Sequence, residues 1–147
     1  MFDEAHFAYL EDIDISYRAA IYGYRCVYEP AAAVLHYGSA TSGSRYNSFK
    51  TGLASANSVY LILKNMPLLQ ILWILPFLLA GFLVKGCFYA RKGMGRLYVK
   101  GLVSGVQKSF CTVGRAARVP FRWKHLRNYL KIQGLMYLNT IRMLVKQ

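Results

Sequence analysis

The chain has 147 residues, 55% of them hydrophobic, and carries 19 Lys or Arg against 6 Asp or Glu, a formal net charge of +13. That length and apolar content suit one domain, or a small domain with an appendage, and exclude a disordered chain. The charge is uneven: residues 1–29 hold all six acids against Arg18 and Arg25, a net −4, while residues 30–147 hold no acid and carry +17, the pattern of a basic tail that meets something anionic.

The start, MFDEAHFAYL, lacks the basic region and long apolar run of a secretory signal, so nothing in it argues for export. From Glu11 to Tyr22 the pattern predicts a helix, with Ile13, Tyr17, Ala20 and Ile21 at helical spacing, Glu11 or Asp12 at or near its N-cap, and Gly23 placed to end it. YRCVYEP then reads as a short β-rich run stopped by Pro30, and AAAVLHY as a second extended run entering the loop GSATSGS. The stretch YNSFKTGLASANSVYLILKNMP predicts a second helix with Phe49, Leu53, Ala56, Tyr60 and Leu63 on one face, stopped by Asn65 and Pro67.

Composition changes at Leu68. Through Val84 the only strongly polar side chain is Gln70, and these 17 residues would reach roughly 26 Å as a helix, a little under the ~30 Å of a bilayer core. Pro76 predicts a kink or break, and 14 Lys or Arg follow residue 84. The positive-inside tendency therefore favours a re-entrant or interfacial segment over a single short span. LYVKGLVSGVQKSFCTVG, with Lys100 and Lys108, reads as a helix lying on headgroups, and Pro120 to Gln147 as one or two basic amphipathic helices. The expected organisation is 1–65, a globular part; 66–90, an apolar membrane segment; and 91–147, a basic helical tail. Cys26, Cys87 and Cys111 lie far apart without a C-x-x-C pair, so neither a disulfide framework nor a zinc site is indicated, which fits a reducing compartment.

Half of the acids, Glu11, Asp12 and Asp14, stand within four residues of one another. Like charges so close need a positive neighbour: a helix N-terminus, Arg18 one turn on, or a metal. In the structural reading Glu11 and Asp12 cap the helix and Asp14 pairs with Arg18 at i, i+4, each worth from a few tenths to ~1 kcal/mol. In the chemical reading Asp12 is a general base exposed at a strand-to-helix junction.

Residues 2–43 carry F-D-E, an aromatic run, E-D-x-D, S-x-R, G-Y and P-x-x-x-V-x-H-x-G-S in that order, and LILKNMP follows at 61–67. This series resembles the acceptor-side part of family 2 glycosyltransferases, especially rhamnosyltransferase-like enzymes of cell-envelope polysaccharide synthesis. The resemblance covers roughly the last third of such an enzyme, with departures at His6, where an aromatic is usual, and at Ala56, where a basic residue is common. It implies an α/β fold, the acceptor-side part of a Rossmann-like GT-A domain, followed by a mostly α-helical membrane-associated region.

It also implies inverting transfer of a sugar, rhamnose being the leading candidate, from a nucleotide-sugar donor to a lipid-linked or polysaccharide acceptor. Asp12 would be the catalytic base, since a sugar hydroxyl must lose its proton as the new bond forms, and Glu11 would fix the acceptor or the base. Asp14, Arg18, Gly38 and Ser39 become substrate-side candidates, although Asp14 and Arg18 suit equally a role in holding the helix. His36 would help bind Mg2+ or Mn2+ beneath the diphosphate, together with a D-x-D expected to precede residue 1. Without that half, the 147-residue chain is expected to lack transferase activity on its own. The implied location is the cytoplasmic face of the inner membrane, against anionic lipid. A non-catalytic membrane scaffold is the alternative. A nucleic-acid partner is disfavoured by the apolar run and by the lack of any helix-turn-helix, finger or RRM signature.

Overall fold

The computed structural model describes residues 2–35 and 47–145, with side chains to residue 142. Helices account for 75% of the described residues, and no strand occurs among them. The expected α/β, Rossmann-like arrangement is therefore replaced by a helical fold. Tyr24 to Leu35, where strands were predicted, is irregular chain with Val27, Tyr28, Val34 and Leu35 all exposed. A strand satisfies its backbone only by pairing with another. No described residue offers such an edge, so β-propensity has nothing to act on.

After a 3-10 turn at Glu4–His6, helix α1 spans Glu11–Ile21. Its N-cap is Leu10, at φ +69° and without a side-chain cap bond, rather than Glu11 or Asp12. Those two acids fall in the first turn, where the positive end of the helix dipole favours them. Gly23, at φ +84°, ends the helix as the sequence indicates: its N–H donates to Ala20 O at 3.1 Å and that of Tyr24 to Ala19 O at 3.0 Å, a Schellman closure that a side chain at 23 would strain.

Helix α2, Ser48–Asn65, is capped by Asn47, whose side chain accepts from Lys50 N–H at 2.8 Å. Its buried face differs from the predicted one. Tyr60 and Ala56 are buried with Thr51, Asn57, Lys64 and Asn65, whereas Phe49 is 55% exposed. Helix α3, Leu68–Arg91, runs 24 residues unbroken through Pro76, about 36 Å at 1.5 Å per residue. It is long and apolar enough to cross a membrane, and little of its most apolar stretch is buried.

Helix α4, Gly95–Phe110, packs closely along α2, followed by the short α5, Thr112–Ala116, and by α6, Leu126–Val145. The α2–α4 contact is a close backbone approach, since a Cβ at Gly101 would stand 2.7 Å from Gly52 O, and one at Gly105 would collide with Ala56 O. Helix α6 packs on α1, where Asn128 Nδ2 donates to Ile21 O at 2.8 Å.

Candidate functional site

The three acids of α1 have three different environments. Asp12 is exposed, and one of its oxygens accepts from the N–H of Ile13 at 2.8 Å. Glu11 is half-buried, and its Oε2 is buried without a hydrogen-bond partner among the described residues. Asp14, two residues on from Asp12, is 0% exposed.

Asp14 is the hub of a buried ion cluster. Its Oδ1 accepts from Lys64 Nζ at 2.7 Å and from Asn65 Nδ2 at 2.7 Å, and its Oδ2 accepts from Arg18 Nε at 3.0 Å and Nη2 at 2.8 Å. Lys64 Nζ also reaches Asp3 Oδ2 at 2.6 Å, where the Tyr60 hydroxyl donates at 2.9 Å. The other oxygen of Asp3 accepts from Ala5 N–H at 2.9 Å. One lysine from α2 thus ties the first residues of the chain to α1. Burial pushes the Asp14 carboxyl up, but contacts with His6, Lys64, Asn65 and Arg18 outweigh it and hold the group far below the ordinary carboxylate range. Asp3 follows the same balance: burial raises it, while Lys64, the Ala5 N–H and Tyr60 lower it further. The i, i+4 pair of the structural reading is present, and Asp14 has no face left for a substrate.

Residues 7–10, which lead into α1, are held in an unusual shape. Phe7, Tyr9 and Leu10 have φ values of +58°, +68° and +69°, a left-handed region that non-glycine residues enter at a cost of about 1–3 kcal/mol each. Asn57 stabilises that path, since its Nδ2 lies 2.8 Å from His6 O, 2.8 Å from Ala8 O and 3.0 Å from Tyr9 O. Lys108 of α4 donates to Asn57 Oδ1 at 3.0 Å and to Ala5 O. It therefore points inward, where the sequence suggested a cation on the headgroup side. This clamp holds the segment that leads into α1, three residues before Asp12.

Asn57, Lys64 and Asn65 escaped the sequence reading as site residues. A signal was available: Asn57, Tyr60 and Lys64, spaced 3 and 4 apart, stand on one helical face.

Asp3, His6 and Asp14 bring ligand atoms within 4.8 Å of one another, a donor set to be tested for Mg2+ or Mn2+. It does not fit. Lys64 Nζ already stands between the two carboxylates and Arg18 takes the far oxygen of Asp14, so the negative charge that a hard cation needs is neutralised. His6 is fully buried, with Nε2 3.7 Å from Asp14 Oδ1, beyond hydrogen-bond reach. His36, Gly38 and Ser39 lie outside the described residues. Comparison with protein families, with curated proteins and with solved structures gives no match.

Proposed function

We propose that the chain serves in a membrane-associated, inverting sugar transferase, in which Asp12 takes the proton from an acceptor hydroxyl as that oxygen attacks the anomeric carbon of a nucleotide sugar. The observation that supports this reading is the division of labour along α1. Asp14 is sequestered with Lys64, Arg18 and Asp3, whereas Asp12 stays exposed one half-turn away on a clamped helix start. The elements behind the resemblance, F-D-E, E-D-x-D, S-x-R and L-K-N, meet in that one cluster through Asp3, Asp14, Arg18, Lys64 and Asn65. General-base catalysis requires a carboxylate that can come within hydrogen-bond reach of the acceptor hydroxyl, and the exposure of Asp12 leaves it open to such an approach. The donor sugar in this reading is rhamnose and the acceptor a lipid-linked saccharide at the cytoplasmic face of the inner membrane, with α3 and the basic helices holding the site near lipid.

Replacing Asp12 by Asn in the gene of the source cell tests this. The expected outcome is a normal level of the protein in membranes and loss of one deoxyhexose from the envelope polysaccharide. An unchanged polysaccharide at a normal protein level removes Asp12 as the base. The exposed apolar length of α3 also suits a non-catalytic membrane scaffold, which would tolerate Asp12→Asn with no change in sugar composition.

A further inference from the structure

Between the N-terminal half of α3 and the start of α6 lies an apolar groove of about 200 Å3, walled by Trp73, Phe121, Trp123, Leu126 and Leu130. Its open surface is entirely apolar, as a hydrocarbon chain requires. Gln70, Tyr129 and Gln133 line its floor at 6%, 5% and 4% exposure. Gln70 Nε2, the Tyr129 hydroxyl and both amide atoms of Gln133 meet no hydrogen-bond partner among the described residues. Pro67 and Phe121 also line a second depression of about 430 Å3, which contains Arg118. The exposed Arg122, Lys124, Arg127 and Lys131 alternate in sequence with the groove residues, and no acid follows Glu29.

We infer that the groove seats the chain of a single-chain lipid phosphate drawn from the membrane, with its phosphate at Arg118. Two observations favour this occupant over a peptide or a second protein. The groove is built on α3, the helix whose leucines face outward and which can cross a bilayer. Its surroundings are uniformly basic, as an anionic headgroup requires. The floor is also fastened to α1, because the Tyr17 hydroxyl donates to Gln70 Oε1 at 2.7 Å. A lipid held here lies against elements anchored to the helix of Asp12. The inference builds on the lipid-linked acceptor of the proposed function, but its test does not depend on sugar transfer.

The chain's two tryptophans both line the groove, so binding can be read directly. The full chain is placed in phosphatidylcholine nanodiscs and titrated with hexadecyl phosphate brominated at mid-chain, and separately with the matching brominated hexadecanol, while tryptophan quenching is followed. The expected result is a saturable phase at one phosphate probe per chain, half-complete at about a fivefold lower mole fraction than for the alcohol. Leu130→Phe, a change at a half-exposed position that fills the groove, removes the saturable phase with helicity by circular dichroism unchanged. Arg118→Gln brings the two probes together, and inorganic phosphate does not compete. A linear rise equal for both probes, a saturable phase that survives Leu130→Phe, or displacement by inorganic phosphate would overturn the inference. Saturable binding in a protein whose Asp12→Asn form leaves the polysaccharide unchanged would keep the groove and remove the transferase reading.

Discussion

A carboxylate with no exposure is tolerated at Asp14 because each of its oxygens meets a cation, and the reverse holds for Lys64, buried between two acids. Breaking such a set from one side leaves an uncompensated charge. Asp14→Asn is accordingly expected to lower unfolding stability by about 3 kcal/mol, measured by urea titration in the detergent that keeps the chain dispersed, while Asp12→Asn barely moves the same midpoint. The pH dependence has a definite sign. Asp3 and Asp14 titrate lower in the folded chain than in the unfolded one, so their stabilisation is present above the unfolded value of about 4 and is lost as pH falls through the folded values. Thermal unfolding followed from pH 6 downward should show a steep fall below about pH 4, shallower in Asp14→Asn. At Gln133 the expectation is opposite: both amide atoms are buried and unmatched among the described residues, so Gln133→Leu should raise stability by about 1 kcal/mol.

Among the elements, α2 and α4 make the tightest contact, and its tolerance is set by glycine. Gly105→Ala drives a methyl group into the carbonyl of Ala56 and is expected to destabilise by about 1–3 kcal/mol. Gly134→Ala in α6, where a Cβ meets nothing within 4 Å, should stabilise by up to about 1 kcal/mol through helix propensity alone. The same urea titration separates the two. The helices themselves were legible where a signal is local. Gly23 closes α1 as its position indicates, and Asn65 ends α2. What local pattern missed depends on partners distant in sequence. Val27, Tyr28, Val34 and Leu35 have strand-forming side chains but no edge to join among the described residues. Lys64 acquires its meaning from carboxylates 50 and 61 residues away, a pairing no spacing rule contains. Of the candidate site, the Asp14–Arg18 pair was legible from its i, i+4 spacing, while the clamp from Asn57 and Lys108 arises only when α2 and α4 meet.

For the whole molecule, the leading question is how a compact helical pair coexists with α3, whose leucines and Trp73 face outward. A surface of this kind needs a covering, and a bilayer supplies one without conflict with the surrounding cations. The full chain should therefore float with vesicles containing anionic lipid and stay bound at about 0.5 M salt, where surface charge is largely screened, because apolar insertion persists. Replacing Leu72 and Leu79, 55% and 60% exposed, by Asp in one variant should return the chain to the aqueous fraction in the same flotation assay.

The lysine that joins Asp3 to Asp14 has one more consequence. Residues 22–35 are exposed throughout, so this described part of the link between α1 and α2 is separate from the contacts that hold them together. A protease cut after Arg25 should give two pieces that migrate as one until acid or denaturant parts them. Inserting a dozen Gly and Ser residues at the same point should change stability by well under about 1 kcal/mol, since closure entropy grows only with the logarithm of loop length. The first twenty-odd residues are, in effect, a docked peptide that happens to be tethered, and a synthetic copy supplied in trans should find the same seat.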